Sequence, residues 1–248
     1  MNRIVYKQQV SVTEVGGLGM SYSYGKWTKY HMMMENSTLV GYLPKTLILS
    51  QAGFWELLDV HGAVVIKPSE GSQGYGVVQV TKVGENRYEM HSNRNKIICG
   101  KLDMEEFLDK EKYGRKLYLI QQKIPLATVE ECPFDLRVMV EREKDSIEWK
   151  VTGKLAKVAK NGYFITNIAK AILSVEQVFE QSSIKDIDFH LLNTEIDNIA
   201  LLTAYELGEY YQSSRVIGLD IGITNSGDPY IIEANLKPSR GMFKKLEQ

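Results

Sequence analysis

The run VVIKPSEGSQGYGVVQV, residues 64–80, constrains this chain most. An apolar segment ends in Lys67-Pro68, glycines come next at 71, 74 and 76, and an apolar segment resumes at Val77. A tight hairpin uses one or two glycines, so this longer connection suits a loop that wraps around something. Its GxxGxG spacing is neither the P-loop GxxxxGK[ST] nor the dinucleotide-binding GxGxxG, and the loop leads into a strand, Val77-Val78-Gln79-Val80, rather than a helix. Strand, loop, strand brings backbone N–H groups where glycine allows close approach to an anion, and Lys67 adds a point charge beside it. The competing reading is a long hairpin connection with a surface lysine.

The bulk numbers narrow the partners. A net charge of -1 over 248 residues favours neither nucleic acid nor an acidic lipid face. The first residues, MNRIVYKQQVSVTEV, lack the apolar core of a signal peptide, and no apolar run approaches the roughly 20 residues of a membrane span. Cys99 and Cys132 are far apart and neither sits in a CxxC pair, which predicts reduced thiols in a cytoplasmic protein.

Along the chain, residues 11–25 read as a glycine- and serine-rich loop or arm, and a helical pattern runs from Lys29 to the turn at Leu43-Pro44. Ser50 caps a short helix with Phe54, Leu57 and Leu58 inward. Alternating runs at 62–67, 76–83, 86–91 and 95–99 read as antiparallel hairpins. Asp103 with Glu106 three residues on predicts a helix near 104–112. Strands are expected at 116–123, 135–143, 147–159 and 163–168. A helix is expected at 194–212, with Ile196, Ile199, Leu202 and Leu207 on one stripe, and the chain closes with strands at 215–223 and 229–234. Grouped strands with helices between them predict an α+β architecture. His31, His61, His91 and His190 are scattered and read as surface or structural residues.

The last hairpin, GLDIGITNSGDPYIIEANLKP, is the second informative stretch. Asp220 and Glu233 fall opposite each other if its two strands pair, and Asn235, two residues on, points the same way. Two carboxylates and an amide oxygen are hard ligands that suit Mg²⁺ shared with nucleotide phosphates. Facing acids repel, so a cation is expected near them. The alternative is that Asp220 pairs with a lysine or arginine and Asn235 caps a turn.

Taken together these segments resemble the ATP-grasp ligases, from roughly Lys29 to the end. The match rests on KYHMMMENSTLVGYLPKT, IKPSEGSQGYGV, LIQQKIP, FDLRVMV and the Asp…Glu-x-Asn hairpin, in that order. Within that superfamily the phrasing is most similar to the YheC/YheD group of endospore coat-associated proteins. The resemblance implies an ATP-grasp fold with an arm at 1–28, a lid-bearing subdomain at 29–122 and a magnesium-binding subdomain at 123–248, and ATP and Mg²⁺ as cofactors. It gives Lys29 and Lys67 to the phosphates, and Gly71, Ser72, Gln73, Gly74 and Gly76 to the lid. Gln122, Lys123 and Ile124 would line adenine, with backbone groups of Lys123 and Ile124 reading its edge. Glu130 or Asp135 would meet the ribose, and Arg137 phosphate or acyl group. Lys157 and Asn167 would face the phosphates, and Asp220, Glu233 and Asn235 would hold metal.

Two departures accompany it. About 28 residues precede Lys29, where many ATP-grasp enzymes carry a separate domain that helps bind the carboxylate, so that domain is expected to be missing or reduced. The segment Asn167-Ile168-Ala169-Lys170-Ala171 lacks the glycine pair often found after such an asparagine. The implied activity is ATP-dependent joining of a small-molecule or peptide carboxylate to an amine or thiol. The alternatives are a nucleotide-binding assembly protein of the spore coat, with coat proteins as partners, and a phosphotransferase acting on a hydroxyl.

Overall fold

The computed structural model of the chain describes residues 12–14, 20–71, 73–112 and 116–246. A short antiparallel pair, β1 (Val12–Glu14) and β2 (Met20–Tyr22), forms within the expected arm; residues 1–11 and 15–19 of that arm lie outside the described residues. Helix α1 (Lys26–Met34) starts before Lys29 and stops well short of Leu43, with only a 3₁₀ turn at Val40–Tyr42. The polar run Glu35-Asn36-Ser37-Thr38 ends it, because Asn36 Oδ1 accepts from the Thr38 N–H and offers the backbone a turn instead.

The first sheet gathers β3 (Thr46–Ile48), β4 (Ala63–Pro68), β5 (Val78–Gly84), β6 (Arg87–Ser92), β7 (Asn95–Cys99) and β8 (Tyr118–Gln122) in the order β3-β8-β4-β5-β6-β7, antiparallel at every pairing. Helix α2 (Gln51–His61) is capped by the Ser50 side chain, which accepts from the Gly53 N–H, and is closed by left-handed Gly62. Its Phe54, Leu57 and Leu58 pack against Val64, Ile66 and Val80. Helix α3 (Lys101–Lys112) begins earlier than expected. Asp103 lies inside its first turn and reaches back to accept the Gly100 N–H, so it closes the helix start from within.

The second sheet holds β9 (Thr128–Val129), β10 (Cys132–Glu141), β11 (Lys150–Ala159), β12 (Ala169–Leu173), β13 (Val216–Ile223) and β14 (Pro229–Asn235). Its order is β12-β11-β10-β13-β14, with β9 against β10, again antiparallel. The expected strand at 163–168 is absent. The Lys160 N–H bonds Ile168 O, the Tyr163 N–H bonds Lys160 O, and Gly162 takes φ +81°, so the chain loops out before β12. A helix that sequence reading missed, α4 (Val175–Gln181), opens with a capping box between Ser174 and Gln177. Helix α5 (Phe189–Tyr210) buries Ile196, Ile199 and Leu207 and half-buries Leu202. Among the described residues no helix is long and apolar enough to cross a membrane, and Cys99 and Cys132 are free thiols.

Alternation along the second sheet is what builds a site. On β10, Phe134, Leu136 and Val138 join one core with Met32 and Met33 of α1 and Ile196 of α5, while Asp135 and Arg137 point away from it. On β13, Leu219 and Ile221 face that core and Asp220 faces away; on β14, Ala234 faces it and Glu233 and Asn235 do not.

Phe54→Ala, at a fully buried position, should lower stability by about 3–5 kcal/mol. Val60→Ala, on the same helix but 72% exposed, should leave it within about 0.5 kcal/mol. The midpoints of urea unfolding test both.

Candidate functional site

The polar face of the second sheet and the open face of the first enclose a cleft of about 450 Å³. Six of its lining residues are basic, namely Lys26, Lys67, Lys123, Arg137, Lys157 and Lys237, and three are acidic, namely Asp135, Asp220 and Glu233. The expected facing of Asp220 and Glu233 is observed, since they are register partners on β13 and β14. Arg137 stands opposite Asp220, and Asp135 opposite Lys157, so charged pairs occupy two neighbouring rows of the sheet.

Those rows are tightly bonded to each other. Arg137 donates from Nε to Asp220 Oδ1 at 2.9 Å and from Nη2 to Oδ2 at 3.0 Å, and Lys157 Nζ donates to Oδ1 at 2.7 Å. Lys157 Nζ also lies 3.0 Å from Asp135 Oδ1, and the Thr166 hydroxyl donates to Asp135 Oδ2. Burial pushes the Asp135 carboxyl up by more than Lys157 pulls it down. At Asp220 burial also pushes up, but the charges of Lys157 and Arg137 overcome it and hold the carboxyl below its ordinary range.

For a divalent ion this divides the expected ligands. Glu233 and Asn235 line the cleft side by side, and among the described residues the Glu233 carboxylate makes one ion pair, with Lys26 at 3.5 Å, so these two fit a hard cation. Both Asp220 oxygens are already occupied by Arg137 and Lys157, as the alternative sequence reading had it, so Asp220 has to share its carboxylate to reach a metal. Among the described residues no three His, Cys, Asp or Glu converge on one point.

Three lysines surround Glu233. Lys67 Nζ donates to Gln121 Oε1 at 2.8 Å and to Ile232 O at 3.4 Å, while Gln121 Nε2 donates to Thr46 Oγ1 at 2.8 Å. Lys26 donates to Gly71 O at 2.9 Å, joining the lid to Glu233. Lys29 is buried, donates to Ala234 O and is not part of the cleft wall. Burial lowers Lys29 and Lys67 to about 8 each, with Glu233 opposing the shift and the neighbouring lysines adding to it. The resemblance gives Lys29 to the phosphates, whereas the residue of this helix in the cleft wall is Lys26. The available signal was its place at the first helical position, where the macrodipole disfavours a cation unless an anion is expected there.

Gly71, Gln73 and Gly74 line the cleft from the lid; Gly76 does not, and Ser72 lies outside the described residues. Gly74 has φ +74°, and a Cβ there would fall 2.5 Å from Ile165 Cδ1 and 3.0 Å from Asn167 Nδ2, so the lid rests on the second half of the molecule. Gln122, Lys123 and Ile124 form the cleft's inner edge. The Lys123 N–H is committed to Ala63 O, and Ile124 O accepts from Lys123 Nζ and the Leu126 N–H. Among the described residues this leaves the Lys123 carbonyl and the Ile124 N–H open. Of the two ribose candidates Asp135 lines the cleft, whereas Glu130 is on the surface, paired with Lys170 at 2.7 Å. His91, also structural, bonds Gly162 O at 3.0 Å and ties the two halves together.

Two antiparallel α+β halves closing on one cleft are the ATP-grasp architecture. An ADP complex of the N5-carboxyaminoimidazole ribonucleotide synthetase purK superposes with a TM-score of 0.52 at 14% identity, over 87% of this chain and 45% of that one. The chain belongs to the YheC/D-like ATP-grasp family, which matches it over residues 20–248. It is 25% identical over 236 residues to the endospore coat-associated protein YheC of Bacillus subtilis (strain 168), covering 92% of this chain and 62% of YheC. To YheD of the same organism it is 24% identical over 228 residues, covering 89% of this chain and 49% of YheD. The chain thus spans half to three fifths of the length of these relatives.

The geometry of lid and lysines generates two predictions. Gly74→Ala forces an alanine into left-handed backbone at a cost of about 1–2 kcal/mol in the closed lid. It should weaken nucleotide binding several-fold while leaving the melting temperature nearly unchanged, read by calorimetry and thermal scanning. Lys67, near 8 without ligand, regains its proton when a polyphosphate stabilises its charged form. Calorimetry in buffers of different ionisation heat should show proton uptake on ATP binding at pH 8.5 and almost none at pH 6.5, with affinity falling as pH rises through 8.

Proposed function

We propose that the protein binds ATP and Mg²⁺ in this cleft and joins a carboxylate to an amine or thiol through an acyl phosphate. The observation that carries this reading is six basic side chains against three acidic ones in one cleft, in a chain whose net charge is -1. A triphosphate answers that local surplus. Lys67 and Lys26 meet its phosphates, and the lid backbone at Gly71, Gln73 and Gly74 covers them. Val65, Leu126 and Ile232 supply apolar walls for the base, Gln122 to Ile124 run along its edge, and Asp135 lies toward the ribose. Bound Mg²⁺, held by Glu233 and Asn235, supplies charge neutralisation at the phosphates.

Arg137 and Lys157, fixed by Asp220 and Asp135, point their charge at the transferred phosphoryl group, and Asn167 sits beside them under the lid. The acid's oxygen bonds the γ-phosphorus as the bond to the β-phosphate oxygen breaks and ADP is released. The amine nitrogen then bonds the acyl carbon, phosphate departs, and the amine's proton passes to solvent. Positioning and charge stabilisation do most of this, so the chemistry needs no nucleophilic side chain. The lid and apolar walls keep water from the acyl phosphate.

A second reading, a nucleotide-binding assembly protein associated with the spore, is favoured by the endospore-coat association in the names of both relatives. Lys67→Ala should weaken Mg·ATP binding about tenfold or more through loss of a charge-assisted bond. Lys82→Ala, whose exposed side chain pairs with Asp59 at 2.8 Å, should leave binding unchanged. Equal losses in the two variants would show the lid assignment to be mistaken. ADP release that requires added acid and amine and disappears in Lys67→Ala supports ligation; binding with no turnover across a broad panel supports the assembly reading.

A further inference from the structure

We infer that Lys29 is a positioning residue for the Glu233–Asn235 pair, acting through the carbonyl between them rather than on the nucleotide. The inference rests on the magnesium–nucleotide reading and goes beyond it by giving this lysine a different task from the one the family resemblance implies.

Strand β14 is an edge strand, hydrogen-bonded to β13 on one side only, so its outward carbonyls need other partners. Two of them, two residues apart, find lysines. Ile232 O accepts from Lys67 at 3.4 Å, and Ala234 O accepts from Lys29. The two bonds are not equivalent. Lys67 lines the cleft, and its closer partner is Gln121 at 2.8 Å, so it can turn to a phosphate without losing its main contact. Lys29 is 5% exposed, is not part of the cleft wall, and has Ala234 O as its hydrogen-bond acceptor.

Ala234 is the hub of the local geometry. Its side chain is buried in the core, while its neighbours Glu233 and Asn235 project into the cleft. In a strand, fixing one peptide plane fixes the direction of the side chains on both sides. Lys29 therefore sets the aim of two oxygen ligands at once. Helix α1 delivers it from a firm base, because the Lys26 N–H bonds Ser69 O at 2.9 Å where the lid begins. One turn of helix thus connects the lid's root, through Lys26, to the ligand strand, through Lys29.

Burying an ammonium with so few partners is unfavourable, which separates a positioning role from a merely structural one. An apolar side chain of similar length should fold at least as stably and aim the ligands less well. The experiment measures ADP affinity by calorimetry with EDTA and with Mn²⁺, Mn²⁺ coordination by electron paramagnetic resonance with ADP present, and the melting temperature. It compares wild type, Lys29→Met and Lys29→Arg. Lys29→Met should melt at or above the wild-type temperature and keep metal-free ADP affinity within about twofold, yet lose about tenfold in the affinity gained from Mn²⁺, the scale on which outer supports of metal ligands act. Lys29→Arg, which keeps a charged donor, should recover most of that gain.

An unchanged Mn²⁺ gain in Lys29→Met overturns the inference. So does an equal loss of metal-free ADP affinity, which would put Lys29 on the phosphates. A Lys29→Met protein that fails to fold overturns it as well, since it would show the lysine to be structural. If wild type itself gains nothing from Mn²⁺, the magnesium–nucleotide reading has failed instead.

Discussion

Glu233 is the carboxylate on which the cleft depends. Lys26 comes within 3.5 Å of it, and Lys29 and Lys67 are close enough for its charge to moderate the loss of basicity that burial imposes on both. Three ammonium groups around one acid are self-repelling, and folding tolerates them because hydrogen bonds to Gly71 O, Ala234 O and Gln121 hold each in place. An anion entering the cleft would relieve that repulsion. The same lysines cross between elements, from α1 and β4 to the lid and β14.

The second constraint is the register of β10, β13 and β14. One register places Asp135 against Lys157, Arg137 against Asp220, and Asp220 against Glu233. A slip of one residue would turn all of these into the core. The Asp220 carboxylate is consumed in holding Arg137 and Lys157 and lies below its ordinary range because of them, whereas Glu233 and Asn235 face the cleft with their oxygens available. Acids that look alike in sequence thereby take different parts: one is spent on two cationic side chains and the other faces the cleft.

Much of this was legible from short-range spacing. The glycine lid, the strand lysine before it and the facing of Asp220 and Glu233 are statements about residues within one hairpin, where period-two alternation is reliable. The helix capped by Ser50 was legible for the same local reason. What local spacing left undecided needed phase or distance. Lys29 and Lys26 lie on one helix, and only the approach of β14 decides which ammonium meets the lid and which meets Ala234. Glu130 and Asp135 are five residues apart, and the turn between β9 and β10, where Glu130 and Glu131 adopt positive φ, sends one to the surface and the other inward. The segment 163–168 alternates enough to look like a strand, but the Lys160–Ile168 bond closes it into a loop.

Local patterns of glycine, alternation and charge carry the α+β class, the glycine-rich loop and the acidic hairpin, because each pattern holds without knowledge of its distant partner; the family is carried by the order of whole motifs that resemble it. Long-range packing chose the rest: which lysines enter the cleft, that Arg137 and Lys157 take the Asp220 carboxylate, and that an edge carbonyl claims Lys29. Those outcomes depend on which buried cation finds an acceptor across chain separations of 63 to 205 residues, and burial makes each such choice all or nothing, since an ammonium removed from water must be paired wherever it lands.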